Sequence, residues 1–139
     1  MSSNALQLLG ICNKAGKAAV GEEPVGAAAR AGKARLILVA SDAAGHTARR
    51  ASSFSSAGRC ACITVPFTRE EMGAMLGRQV CALAAITDVC LAQSFVRALN
   101  EPEKYADLQA DLDRRAERVA QRRQEEQAHQ KNLRRGGHR

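Results

Sequence analysis

Residues 20–43 read V-G-E-E-P-V-G-A-A-A-R-A-G-K-A-R-L-I-L-V-A-S-D-A. Their first half carries the chemistry of a helix start. Gly21 turns the chain, Glu22 and Glu23 suit the positive end of a helix dipole, and Pro24 is tolerated in a first turn because its missing N–H has no intrahelical use there. Residues 36–40 are then an unbroken apolar run, the mark of a strand covered on both faces. A helix that hands over to a doubly buried strand predicts a sheet between two helical layers.

The pattern repeats on either side of this stretch. Ala5, Leu8, Leu9 and Cys12 fall at i, i+3, i+4 and i+7, one face of a helix with Ser3 as its cap and Gly16 as its end, followed by a short strand at 17–20. Residues 45–57 are expected to be helical, with Ala48, Ala51 and Phe54 inward and Gly58 as a stop. A second buried strand is expected at 60–65, closed by Pro66. Thr68 and Glu71 form a T-x-x-E capping box ahead of Met72, Met75 and Leu76. A strand at 82–86 leads to a helix whose Leu91, Phe95 and Leu99 recur every four residues. The fold class expected from this alternation is a three-layer α/β/α sandwich with a four-stranded mixed sheet.

The composition changes after Leu99. Residues 1–100 are expected to form one domain, and 101–139 a charge-dense extension of 10 Lys or Arg and 8 Asp or Glu. There Leu108, Leu112 and Val119 put a thin apolar stripe on a helix, too weak for a coiled-coil seam. The reading is a solvated helix fraying into the disordered end R-R-G-G-H-R, 134–139. It serves either as a solubilising surface or as a second contact to a partner.

A net charge of +7 over 139 residues favours a polyanionic partner. No window approaches 18 consecutive apolar residues and no basic region precedes the N-terminal apolar part, so a soluble, cytoplasmic protein is expected. Five cysteines without an export signal are expected to be reduced.

Three chemical readings fail on spacing. The twice-repeated A-G-K-A at 15–18 and 31–34 is not a phosphate loop: Gly21 and Gly26 have the right gap, but Ala27 stands where Lys is needed. Glycine punctuation at element ends explains it better. Cys60 and Cys62 project to one strand face and, with Cys81 and Cys90, make a four-thiolate site conceivable, yet structural zinc prefers C-x-x-C knuckles in loops, and no metal or other cofactor is expected. Ser41, Asp42 and His46 are the available catalytic groups, without a G-x-S-x-G elbow. Asp42 has a sufficient local role, offering its carboxylate to the next helix's N–H groups. The 3% aromatic content disfavours recognition by base stacking and leaves shaped RNA, read by a helix N-terminus, backbone amides and basic groups.

Four segments in order then become specific: G-E-E-P-V-G-A-A-A-R-A-G-K-A-R-L-I-L-V-A-S-D-A from Gly21, C-I-T-V-P-F at 62–67, M-L-G-R at 75–78 and A-A-I-T-D at 84–88. Together they resemble the kink-turn RNA-binding ribosomal protein superfamily of the archaeal L-seven-Ae type, in its bacterial YlxQ-like branch, over residues 4–99. The resemblance implies an α/β/α sandwich without catalysis that grasps a sharply kinked duplex with the start of its second helix and the loop after L-G.

Carried onto this chain, the resemblance implies RNA contacts at Gly21, Glu22 and Glu23, at Lys33 and Arg35 beyond the far end of that helix, and at Gln79, Val80 and Cys81 after Leu76-Gly77-Arg78. A carboxylate at the helix start accepts from an exposed guanine edge, and free N–H groups there meet phosphate. The family motif G-x-N-E-x-x-K is altered here, with Glu23, Pro24 and Ala27 at its Asn, Glu and Lys. Lys14, Lys17, Lys33, Arg35 and Arg78 are the cations available to compensate. The partners expected are structured RNA, ribosomal RNA above all, and ribosomal proteins, with no membrane and no small-molecule substrate. A protein-interaction module on the same fold is the alternative, and an enzyme using Ser41, Asp42 and His46 the remote one.

Overall fold

The computed structural model describes residues 4–136, with side chains described as far as Leu133. Six helices and four strands follow in the order α1 (Asn4–Lys14), β1 (Ala18–Val20), α2 (Glu22–Arg30), β2 (Leu36–Val39), α3 (Gly45–Gly58), β3 (Ala61–Thr64), α4 (Arg69–Met75), β4 (Leu83–Ile86), α5 (Val89–Ala98) and α6 (Ala106–Gly136). The strands lie in the spatial order β1-β4-β2-β3. β4 is antiparallel to both β1 and β2, while β3 is parallel to β2. Hence β1, β2 and β3 all enter the sheet from one end, and β4 enters from the other. The expected sandwich and mixed sheet are present.

Strand alternation sorts the core into two layers. Leu36 and Leu38 of β2 and Ala84 and Ile86 of β4 pack with Leu9, Cys12, Met72 and Phe95, on the side of α1, α4 and α5. Ile37, Val39, Leu83 and Ala85 face the other way, onto Val25, Ala29 and Ala51 of α2 and α3. All four residues of β2 and of β4 are buried. At 25 cal/mol per Å² of apolar surface, covering both faces of these strands supplies a large share of the folding free energy.

The edge strand departs from expectation. β3 is half-buried, with Thr64 exposed, because a strand with one neighbour and an incomplete helical cover cannot be sealed. α3 also differs. It continues through Gly58, and Arg59 takes the left-handed conformation at φ 51°. Gly58 also packs closely, since a Cβ there would lie 3.1 Å from the Ala29 Cα and carbonyl oxygen. On the same helix Ala48 is exposed and Thr47 is buried in its place.

Both A-G-K-A segments are helix stops. Gly16 and Gly32 each have φ 71°. The next amide reaches back in both, Lys17 N–H to the Cys12 carbonyl and Lys33 N–H to the Ala28 carbonyl, each at 2.8 Å, closing the last turn. The expected capping box also forms: Glu71 N–H donates to Thr68 Oγ1 at 3.1 Å and Thr68 N–H to Glu71 Oε1 at 3.0 Å. The expected cap at Ser3 lies outside the described residues.

α6 is less solvated than its composition suggests. Tyr105 and Leu112 belong to the same buried cluster as Phe95, with Leu108, Ala116 and Val119 packed against it. Beyond Val119 the described side chains are exposed. The helical backbone continues through Gly136, and the rest of the expected disordered end, 137–139, lies outside the described residues.

Candidate functional site

The sheet's two ends are chemically distinct, and the parallel entry of β1, β2 and β3 is what separates them. At the end where these strands finish, Gly21 follows β1 and opens α2 with φ 95° and ψ 166°, a conformation that disfavours a branched side chain. Gly21 N–H donates to the Leu83 carbonyl at 2.9 Å. This bond fixes the start of α2 beside the beginning of β4, directly after the segment that follows Gly77.

That segment is held from below. Arg78 N–H donates to the Gly73 carbonyl at 2.8 Å and Cys81 N–H to the Arg69 carbonyl at 2.9 Å. A Cβ on Gly73 would come within 2.8 Å of the Val80 Cα, so α4 and residues 78–80 touch backbone to backbone. Cys81 is buried, and its thiol donates to the Leu83 carbonyl at 3.2 Å. Burial pushes that thiol up, and backbone hydrogen bonds involving Leu83 and Gly21 oppose the shift. Cys81 therefore lies between the two segments, while Arg78, Gln79 and Val80 face outward, Val80 being 53% exposed.

The acids at the helix start are partly neutralised. Arg50 of α3 donates to Glu22 at 2.9 Å, and Arg30, Ser53 and Phe54 complete a groove with Glu22 and Glu23. The sequence reading did not find Arg50; its only signal was a basic pair in a helix of otherwise small residues. Gly73 was missed as well, because a glycine inside a short helix carries no pattern of its own.

The expected basic contacts divide. Lys14 lines the groove between α1 and α4 with Met75 and Gly77. Lys17 precedes β1, its carbonyl accepting from Thr87 N–H, and Arg35 precedes β2, its N–H donating to the Ile86 carbonyl. Both sit at the end where the parallel strands begin. Lys33 is there too, beyond the far end of α2, about 13 Å of helix from Gly21. The structure brings together Gly21, Glu22, Glu23 and residues 78–81 and sets Lys17, Lys33 and Arg35 apart from them.

The catalytic groups do not assemble. Asp42 caps α4 instead of α3: its carboxylate accepts from Arg69 N–H at 2.8 Å and pairs with the Arg69 guanidinium at 3.6 Å. α3 has no side-chain cap, and His46 is exposed in its first turn. The thiols are dispersed, with Cys60 and Cys62 on the α2–α3 face, Cys81 on the other, and Cys90 exposed on α5. Burial, with Asp88 adding to it, pushes Cys12 up to about 11; burial, then Cys60, pushes Cys62 up to about 11. Such thiols are protonated at neutral pH and poor as nucleophiles or metal ligands. Among the described residues no cluster of three His, Cys, Asp or Glu is placed to hold a metal, and no helix is long and apolar enough to cross a membrane.

No protein-family model matches the chain. It is similar to the RNA-binding protein YlxQ of Bacillus subtilis, at 32% identity over 92 residues that span 66% of this chain and 87% of that one. A Bacillus halodurans protein of unknown function shares its fold with a TM-score of 0.65 and 23% identity, over 72% of this chain and 100% of that one. A 15.5kD RNA binding protein of Giardia lamblia does so with a TM-score of 0.55 and 15% identity, over 71% and 84%. These similarities define the class as the L-seven-Ae-like family, and the chain belongs to it. Within the family its match is to the YlxQ-like branch.

Proposed function

We propose that this protein is a non-catalytic, ribosome-associated RNA-binding protein of the cytoplasm that recognises kink-turn-like RNA, ribosomal RNA above all, with ribosomal proteins as neighbours. Gly21, Glu22 and Glu23 at the start of α2, with Arg78, Gln79 and Val80 after Gly77, make the contact. One observation carries the reading: Gly21 N–H on the Leu83 carbonyl, with Cys81 between, sets these two segments side by side as one surface. Free amides at a helix start meet phosphate, and the Glu23 carboxylate meets a guanine edge opened by the kink. The name of the Bacillus subtilis relative supports RNA as the ligand class. Commitment of Asp42 to α4 and of Cys12, Cys60 and Cys81 to the core supports the absence of catalysis.

Filter binding of the full chain to a kinked and a straight RNA duplex tests the proposal. Preference for the kinked duplex, lost in Gln79→Glu, is the expected result. Equal binding to both by the wild-type chain overturns kink recognition.

A protein-interaction reading draws on the groove of about 540 Å³ between α1 and α4, where Ile11 is 56% exposed beside Met75 and Gly77. Co-purification of a protein partner that survives nuclease, without RNA, favours it over RNA binding.

A further inference from the structure

The end of the sheet opposite the kink-facing surface concentrates positive charge. Three residues there precede the three parallel strands: Lys17 before β1, Arg35 before β2 and Arg59 immediately before Cys60 and β3. The pairing of Leu36 with Ala61 brings the residues just before them, Arg35 and Cys60, alongside each other. Lys33 lies in the turn leading to Arg35. α6 then crosses this corner, where the Arg115 guanidinium donates to the Arg59 carbonyl at 3.1 Å. Both Arg35 and Arg115 are close enough to oppose the burial that pushes the Cys60 thiol up. Three elements, the turn leading into β2, the junction of α3 and β3, and α6, thus meet at one basic corner, while Lys17 lies at the opposite edge of the sheet.

α6 extends that corner into solvent. Arg118 and Arg122 are exposed, four residues apart on one side of the helix and about 6 Å apart along its axis. Among the described residues neither takes part in an ion pair, whereas Asp111 is already shared by Arg114 and Arg115. The described surface of α6 beyond Val119 offers only Ala120, Ala128 and Leu133 as apolar groups, too few for an amphipathic membrane helix.

Arg59 itself is informative. A helix C-terminus in the left-handed conformation favours glycine, yet this chain keeps an arginine there at φ 51°. An exposed guanidinium at a strained position, where the backbone N–H and carbonyl serve the fold, is what a contact selected for charge would leave.

We infer that Lys33, Arg35, Arg59, Arg115, Arg118 and Arg122 form a second RNA surface, which holds the phosphate backbone of a duplex stem without regard to its sequence or kink. It rests on the proposed function only for the choice of RNA as the polyanion. Its geometry divides the work: the Gly21 surface reads shape, and this corner supplies attraction. Planar guanidinium groups on a strand end and a helix, with the Lys33 ammonium beside them, suit phosphate oxygens.

The test is binding of a straight RNA duplex to the full chain between 50 and 200 mM salt, roughly the range over which phosphate contacts dominate, comparing wild type with the triple variant Arg59→Gly, Arg118→Gln, Arg122→Gln. These sites are exposed, and glycine relieves the backbone at 59, so a thermal melt no lower than wild type shows the variant folded. The variant is expected to bind straight duplex at least about tenfold more weakly, with the slope of log affinity against log salt reduced by about 1 per lost cation. Kinked duplex is expected to lose affinity by a similar factor, so the preference for kinked over straight RNA stays that of wild type. Unchanged straight-duplex affinity and slope overturn the second surface and leave the Gly21 reading standing. Loss of straight-duplex binding in a protein whose wild type never preferred kinked RNA supports the second surface and overturns kink recognition. A wild-type chain that binds neither RNA but retains an acidic protein overturns both.

Discussion

The two ends of the sheet are made from the same strands and differ in almost every chemical respect. Where β1, β2 and β3 finish, the surface is built of backbone: the first amides of α2 at Glu22 and Glu23, the amides of Gln79 and Val80, and carboxylates each held by a neighbour, Glu22 by Arg50 and Asp42 by Arg69. Acids outnumber bases there once Glu23, Glu70 and Glu71 are included. Where the same strands begin, the surface is built of long cationic side chains at Lys17, Lys33, Arg35 and Arg59. Backbone surfaces are geometrically exact and electrostatically weak; cationic surfaces attract at a distance and discriminate poorly. On the two proposals made above, one end recognises RNA and the other captures it.

The largest expected effect breaks the first end. Gly21→Val places a β-branched residue at φ 95°, and affinity for kinked duplex is expected to fall at least about tenfold, about 1.4 kcal/mol, while straight-duplex affinity barely changes; titration of both RNAs checks it. Next, Gly73→Ala forces a Cβ against the Val80 Cα and the Arg78 carbonyl. It should cost about 1–3 kcal/mol in chemical denaturation and shift the amide resonances of residues 78–81 with little change at 33–35.

Alkali probes two thiols away from both ends' contact residues, Cys12 in the core and Cys62 half-buried on β3. Cys12 and Cys62 have folded-state values of about 11 against 9.0 for the free thiol. The folded state therefore holds these protons more tightly, the stability they contribute is complete below pH 9, and it is lost as pH rises toward 11. Urea midpoints should be flat from pH 7 to 8.5 and decline from 9 to 11. The smallest effect has the opposite sign and sharpens the second end: Arg59→Gly should raise stability by up to about 1 kcal/mol, the relief of a left-handed side chain less the added entropy of the unfolded chain. A melting temperature equal to or below wild type would count against that account of Arg59.

The first end was legible in part because its signals are local. A glycine before two acids and a proline marks a helix start, and L-G marks a turn, whatever the rest of the chain does. Arg50 was not legible, since it reaches Glu22 across 28 residues, and neither was the transfer of the Asp42 carboxylate to α4, 27 residues on. Ala48 was assigned to the core because small apolar residues fit either face of a helix; packing against α2 and β2 chose Thr47 and Ala51. The split of the basic residues was hidden for a related reason. Lys33 and Arg35 are near Gly21 in sequence, but α2 spans the sheet from one end to the other.

By itself the sequence determined the alternation of helices and strands, the doubly buried run at 36–40, the capping box at Thr68 and both A-G-K-A stops. These follow from periodicity, from which N–H groups a turn leaves free and from which residues tolerate positive φ, all properties of a few neighbouring residues. Only the tertiary structure decided which strand became the exposed edge, that α6 packs through Tyr105 and Leu112 before leaving the body, and which charges share a surface. Those outcomes depend on strand order and direction, and pairing distant strands is a choice made by the free energy of the whole core, which no short window of residues contains.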